Sequence, residues 1–407
     1  MTNPAEQVLF LAHRIPWPPD RGDRIRSWHL LQALAARATV HCGCLVEGKF
    51  APGQVEAIAG VSKTWCLARR TPSLGLAALA ALASGRPISV AAFSSAQLRR
   101  WVGETLDQQR ISTIFVFSGQ MAQYVPDDFA GRVVMDFVDV DSAKFAAYAA
   151  TARSWLVRAV HAREARVLSA FEARAAHRAD LALLVTPQER DLFVARLADP
   201  AGCSVAALGN GIDAGYFSPA AITPAPAPGG APHIVFTGQM DYAPNAAAVA
   251  MFANEVMPVI RVCYPDAVFS IVGRSPGADV RALGGHNGTR VTGEVADVRP
   301  WLAGADVVVA PLLIARGVQN KVFEAMAMAR PVVLTSAAAT GIGGRDGVHF
   351  AVADGAAALA ARVLMLLAHR AAATAMGEAA RDYVLAYAGW DQVLAPLPAM
   401  MGWADGG

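Results

Sequence analysis

The stretch RGVQNKVFEAMAMARPVVLTS, residues 316–336, decides how this chain is read. Gly317 sits in a loop, Asn320 stands where an N-cap would, and an apolar-periodic helix runs on to Pro331, which turns the chain into the short strand 331–335. The first N–H groups of a helix lack intrahelical partners and form a natural seat for an anion, and Lys321 adds a full positive charge at that mouth. Glu324 lies one turn deeper on the same face and can accept two hydroxyl hydrogen bonds, as from a ribose. Phosphate at the helix start with ribose on the glutamate describes a nucleoside diphosphate. The same residues also read as an ordinary helix with a glutamate near its N-terminal dipole.

Outward from this stretch, short apolar runs alternate with Ala-rich helical segments. Strands are expected at 7–12, 38–45, 113–117, 132–136, 181–185 and 204–208. The pattern restarts with 233–237, 267–272, 289–292, 306–310, 331–335 and 348–352. Runs that are apolar on both faces and separated by helices indicate doubly wound parallel sheets. Between the two sets lies SPAAITPAPAPGGAP (218–232), with five prolines and two glycines, which reads as a linker. The expected organisation is a first Rossmann-like domain over 1–215, a linker over 216–232 and a second Rossmann-like domain over 233–385. A final helix over 386–407 is placed to cross back. Ligands of such sheets sit outside the carboxyl ends of the strands, so the loops after strands are where chemistry belongs.

Composition narrows the function classes. Of 407 residues, 54% are apolar and 17% charged, which supports large cores and argues against a disordered or nucleic-acid-coating chain. The net charge is +2; residues 1–210 hold 23 Lys/Arg against 18 Asp/Glu, and residues 211–407 hold 12 against 15. The five cysteines, an odd number in mostly apolar runs, read as buried thiols of a reducing compartment. The N-terminus lacks a basic leader, and the run LGLAALAALA (74–83) is about half a bilayer span, so a cytoplasmic location is expected.

The motifs resemble family 4 glycosyltransferases. GVQNKVFEAMAMARPVV is similar to their donor-site motif, FTGQMDYAPN (236–245) to the first strand and loop of their donor domain, and FSIVGR (269–274) to a later strand end. NGIDAGYFSP (210–219) resembles the hinge and DGVHFAVAD (346–354) the following strand. The N-terminal HRIPWPPDRGDRIRSWHLLQALA and MDFVDVDSAKF resemble the subgroup associated with exosortase and exopolysaccharide loci. The resemblance implies a GT-B fold, two Rossmann-like domains facing across a cleft. It also implies a nucleoside-diphosphate sugar as donor in the second domain and a glycan or lipid-linked sugar as acceptor in the first, with anomeric configuration retained. No further cofactor and no metal are implied. The chain departs from the family pattern at Arg316, where the first of a glutamate pair is usual, at Gln239 and Pro244 in place of a donor-loop Arg and Lys, and at Val138 in place of a histidine.

From these readings Lys321, Gly22 and Asp139 are the expected catalytic residues, Lys321 as the cation. Gly238, Arg274, Arg316, Gly317, Val318, Gln319, Asn320 and Glu324 are the expected donor-binding set. Gly22 and Gly238 would let backbone approach the diphosphate closely. Asp23 could cap the helix after Gly22, and Arg24 and Arg26 read either as cleft residues or as solvated arginines. Asp241, Tyr242 and Asn245 either touch the sugar or shape their turn. The DVD of 139–141 reads as acceptor contact or as a helix cap near Ser142, and two carboxylates make an incomplete metal site. Residues 153–178 carry six Arg against two Glu on a helical pattern with Trp155, Leu156, Leu168 and Phe171. This helix suggests either a packed surface helix or peripheral contact with an anionic inner-membrane surface. Two other functions fit the same architecture: a nucleotide-sugar epimerase, and a degenerate scaffold for polysaccharide assembly. A Rossmann oxidoreductase is disfavoured by the absence of GxGxxG after any expected strand.

Overall fold

The computed structural model describes residues 6–46, 48, 50–70, 75, 81, 83–152, 154–225, 230–315 and 318–403. Two units divide the chain, one of residues 1–209 with 394–407 and one of 210–393.

The first unit is built on β1 (Gln7–Ala12), β2 (Thr39–Val46), β3 (Thr64–Arg69), β4 (Thr113–Phe117), β5 (Arg132–Val138), β6 (Leu181–Leu184) and β7 (Val205–Ala207). They pair in parallel in the order β3-β2-β1-β4-β5-β6-β7. Val8 to Ala12 and Ile114 to Val116 are wholly buried, as expected of strands covered on both faces. Phe10 and Phe115 stack across neighbouring strands at 5.6 Å. β3 was not expected from the sequence; TWCLAR alternates too weakly and carries a charge at its end. Three helices of this unit matter below: α1 (Gly22–Ala35), α2 (Asp141–Thr151) and α3 (Trp155–Arg178).

The second sheet comprises β8 (His233–Thr237), β9 (Val268–Val272), β10 (Thr289–Gly293), β11 (Val307–Ala310), β12 (Val332–Leu334) and β13 (Ala351–Val352), ordered β10-β9-β8-β11-β12-β13 and all parallel. Strand order reverses between β1 and β4 in one sheet and between β8 and β11 in the other. Each switch point opens a crevice at the strand ends of its own sheet.

Several boundaries differ from the sequence expectation. The second unit begins at Asn210 and takes in the Pro-rich segment that reads as a linker. Ile212 bridges Gly389, Arg381 Nη1 donates to Phe217 O, and Ala225 N donates to Pro300 O, so this segment packs despite its prolines. Residues 226–229 lie outside the described set. The Ala-rich chain from 356 to 388 forms two helices, α5 (Ala356–Ala368) and α6 (Arg370–Tyr383), which meet at a 104° bend. Chain from Leu394 belongs to the first unit, where Met400 O accepts from Arg132 Nη2 at 3.0 Å. Cys42, Cys44 and Cys66 are buried, but Cys263 is exposed. Among the described residues one unbroken helical run, Ala243–Cys263, is long and apolar enough to cross a bilayer, and its Phe252, Val256 and Ile260 are buried in the second core. Most of the run 74–83 lies outside the described residues.

Candidate functional site

The residues of the decisive stretch gather at the switch point of the second sheet. Helix α4 (Asn320–Ala327) follows β11, and the loop after β8 runs beside it. Its inner face, Val322, Phe323, Ala325, Met326 and Ala327, is buried, which fixes the helix and aims its first turn at the strand ends. The cap is Gln319 rather than Asn320, and no side chain caps the helix. Asn320 is therefore the first helical residue, and the orphan N–H groups of the first turn are left to the loop side.

Lys321 is held by two contacts that sequence reading did not assign. Its Nζ donates to Asn245 Oδ1 at 2.6 Å and stands 4.3 Å from the centroid of the Phe236 ring. Asn245 Nδ2 in turn donates to Gln239 O at 2.8 Å, so the buried Asn245 ties the lysine to the loop after β8. Asn245 thus positions the cation. The signal available in sequence was an amide one turn into a helix opened by Pro244, but its partner lies 76 residues away.

No carboxylate pairs with Lys321 at ion-pair distance among the described residues. Burial pushes its ammonium down to about 8, against the pull of Glu324. Glu324 is half-buried, and its carboxylate has no hydrogen-bond partner among the described residues. Burial drives it up to about 7, against the opposing field of Lys321. Both charges are thus held at a cost, near neutrality, with capacity for further hydrogen bonds.

Glycines shape the floor. A Cβ on Gly238 would lie 3.0 Å from Asn245 Nδ2 and 3.1 Å from Lys321 Nζ. On Gly273, at φ +154, it would lie 1.7 Å from Gly238 O. Arg274 follows Gly273 and donates to Gln239 Oε1 at 3.1 Å, so the arginine reaches over the very residue that departs from the family pattern. Val318 packs at the rim of the second core, close to Gly341. Arg316 and Gly317 lie outside the described residues.

In the first unit the expected residues are less convergent. Gly22 opens α1, and a Cβ there would meet nothing within 4 Å, so packing of the free chain does not call for glycine. Asp23 is not the cap. It lies in the first turn and binds Arg14 at 2.8 Å, Arg21 at 2.7 Å and His13 at 3.3 Å; despite its burial, these partners hold its carboxyl far below the usual range. Arg24 pairs with Asp20 at the surface. Arg26 is not solvated. It is 1% exposed, donates to Asp136 Oδ2 at 2.8 Å and to Gly209 O at 2.6 Å, and ties α1 to the end of β5 and to the last residues of the unit's main segment.

Asp139 is half-exposed and paired with Lys144 at 2.8 Å; Asp141, the first residue of α2, binds the same lysine at 3.0 Å. Ser142 does not receive a cap from either; its N–H goes to Glu172 Oε1 at 3.0 Å. The residue before Asp139, Val138, has φ +68, and Asp139 N donates to Phe137 O, which closes a strained γ-turn on a β-branched residue. Among the described residues no three His, Cys, Asp or Glu side chains cluster as metal ligands.

Residues 231–369 match the model of the family glycosyl transferases group 1. The second unit is similar to a group 1 glycosyl transferase domain, and the fold is GT-B. No curated protein matches the chain in sequence. Solved structures match over nearly the whole length. They include sucrose-phosphate synthase from Thermosynechococcus elongatus (15% identity, TM-score 0.64, 97% of this chain and 98% of that one). Anabaena HepE in complex with UDP-glucose is similar at 13% identity and TM-score 0.64, covering 97% and 99%. WaaG, a glycosyltransferase involved in lipopolysaccharide biosynthesis, is similar at 16% identity and TM-score 0.64, covering 98% and 100%. The family match covers the second unit, and the likeness to solved structures shows the GT-B fold.

Proposed function

We propose that the chain is a family 4 glycosyltransferase that moves a sugar from a nucleoside-diphosphate sugar to an acceptor hydroxyl with retention, in exopolysaccharide or cell-surface glycan assembly. It would work in the cytoplasm against the inner membrane, on a glycan or lipid-linked sugar, with no cofactor beyond the donor. The observation that carries this reading is the Lys321–Asn245–Phe236 arrangement beside the unpartnered Glu324, at a switch point where two strand ends and a helix start converge.

The chemistry asked of the site is stabilisation of a departing diphosphate. As the bond from the anomeric carbon to the diphosphate oxygen breaks and one to the acceptor oxygen forms, negative charge grows on the phosphates, and the proton of the acceptor hydroxyl passes to the departing diphosphate. Asn245 takes one of the three Lys321 donors, which leaves two for phosphate oxygens. The uncapped first turn of α4 supplies backbone N–H groups aimed the same way. Glu324 would accept the ribose hydroxyls. Arg274, one hydrogen bond from Gln239, supplies a guanidinium near the place where the family pattern has an arginine. HepE, similar in fold, is a UDP and UDP-glucose binder by its own structures, which makes uridine the first base to try.

Calorimetric titration of the purified protein with UDP, GDP and ADP tests the reading, with Lys321→Ala and Glu324→Ala as controls. Binding of one nucleotide that both substitutions weaken by about tenfold or more supports the clamp. Failure of all three to bind the wild type would defeat it and favour a degenerate scaffold.

A further inference from the structure

Helices α2 and α3 carry a surface that this chemistry does not use. At the start of α3, Trp155, Leu156, Val157 and Val160 are 73%, 58%, 45% and 50% exposed, and Tyr148 near the end of α2 is 53% exposed. Every residue from Ser154 to Val160 faces solvent, and burial along α3 begins at Glu164. Nearly two helical turns therefore stand clear of the unit on all sides. Beneath them the rings of Phe145, Tyr148 and His161 pack against one another with centroids 6.1, 5.9 and 5.8 Å apart, joining the two helices near their tip. Scattered apolar residues are normal on a protein surface; a contiguous exposed group of this size marks contact with something apolar.

Charge identifies the partner. From Ser142 to Arg163 the chain holds Lys144, Arg153, Arg158 and Arg163 and no Asp or Glu. Lys144 is offset by Asp139 and Asp141, at the base of α2. Glu164 is buried, accepts the N–H groups of Ile88 and Ser89 at 2.9 and 2.8 Å and lies 3.7 Å from Arg163, so it offsets that arginine and does not reach the tip. A separate feature of the same helices agrees. Between them runs a groove of about 480 Å³, walled by alanines such as Ala146 and Ala162 and flanked by Arg166 and Arg196. Trp155, Ala162 and Arg166 fall on one face of α3, and eleven residues of rise separate Trp155 from Arg166 by about 16 Å, less along the membrane normal for a tilted helix. That spacing lets guanidinium groups meet phosphates while the tip reaches the acyl boundary.

We infer that the α2–α3 tip is a docking surface for an anionic phospholipid bilayer, inserted through Trp155, Leu156, Val157 and Tyr148 and held through Arg158 and Arg166. The inference deepens the proposed function by naming where the membrane of a lipid-linked acceptor is met, and it rests on that reading for its purpose alone.

The test is sedimentation of the full chain with vesicles of phosphatidylcholine, with and without phosphatidylglycerol. The wild type is expected to pellet with the anionic vesicles and to be released by salt. Trp155→Glu with Leu156→Glu lowers partitioning by roughly tenfold or more, and Arg158→Glu with Arg166→Glu removes the preference for phosphatidylglycerol. All four residues lie outside the cores, so an unchanged Tm and unchanged UDP affinity confirm folding of both variants. A wild type that stays in the supernatant with anionic vesicles overturns the proposal. So does a tip variant that pellets like the wild type, or a tip that instead drives self-association in sizing experiments. Vesicle binding without any nucleotide binding would end the transferase reading and leave this one standing.

Discussion

Nucleotide affinity should peak between pH 7 and pH 8, because the two ends of the clamp titrate on either side of that window. In the free protein burial holds Glu324 up at about 7 and Lys321 down at about 8. Below pH 7 the carboxyl is protonated and must release its proton to accept two ribose hydroxyls, so affinity rises with pH up to 7. Above pH 8 the lysine is neutral and must take up a proton to meet the diphosphate, so affinity falls as pH rises further. If each group is fully charged in the complex, the loss approaches tenfold per pH unit beyond each limb: up to about 100-fold at pH 5 and about tenfold at pH 9. Titration calorimetry in buffers of different ionisation enthalpy measures both affinity and protons exchanged. UDP-glucose is the ligand of choice because its diphosphate diester does not titrate across this range. Glu324→Gln should erase the acid limb and Lys321→Met the alkaline one. An affinity flat from about pH 5 to about pH 9, or limbs that survive those substitutions, would refute the reasoning. The same groups act on stability in the opposite sense. A raised Glu contributes stability that is full below its unfolded value and is lost as pH climbs from there through about 7; a lowered Lys contributes stability that is full above its unfolded value and is lost as pH falls from there through about 8. The free second unit is therefore least favoured by this pair where both are charged, and nucleotide should raise its Tm most in that window.

Other substitutions test the scaffold of the site. Gly238→Ala places a methyl about where Lys321 and Asn245 need to be, and should weaken UDP binding by roughly tenfold with little change in circular dichroism. Gly273→Ala collides with backbone at Gly238 and demands a φ that alanine avoids, so it should cost several kcal/mol and drop the Tm of the second unit; an unchanged Tm would show the strand end is not as tight as described. Asp136→Asn strips charge from the buried partner of Arg26 and should lose about 3–5 kcal/mol in denaturant unfolding of the first unit, whereas Arg26→Met with Asp136→Leu should lose much less.

Doubly wound architecture was legible because strands buried on both faces are written as apolar runs, and β1, β4, β8 and β11 follow their expected bounds to within a residue. β3 escaped because TWCLAR has one exposed edge position and ends in arginine. The bend at His369 escaped because Ala-rich sequence on both sides is helical in propensity, and only packing decides where such a helix breaks. Lys321 and Glu324 were legible as a local spacing. Asn245 and Phe236 were not, since their roles rest on contacts between the ends of β8 and the start of α4, far apart in sequence. Arg26 shows the limit of charge reading most plainly: three arginines within six residues look alike as letters, yet one is a surface partner of Asp20, one binds Asp23, and one is sealed against Asp136.

The departures from the family pattern bear on whether the donor site works, and the geometry argues that they reshape it. Gln239 uses its carbonyl to hold Asn245 and its side chain to hold Arg274, so the loop retains a cation within one hydrogen bond of its tip. Pro244 falls in the first turn of the helix Ala243–Met251, where its missing N–H has no intrahelical partner to lose and its fixed φ suits the start. That helix start sets Asn245, and Asn245 sets Lys321. A lysine at 244 would add charge; a proline there adds rigidity to the residue that aims the cation already present. Loss of charge at one position and gain of order at the next are opposed effects of similar size, about 1 kcal/mol each. The prediction that distinguishes them is Pro244→Lys: if order matters more, UDP affinity falls despite the added charge, and a rise would mean that the site is short of cations.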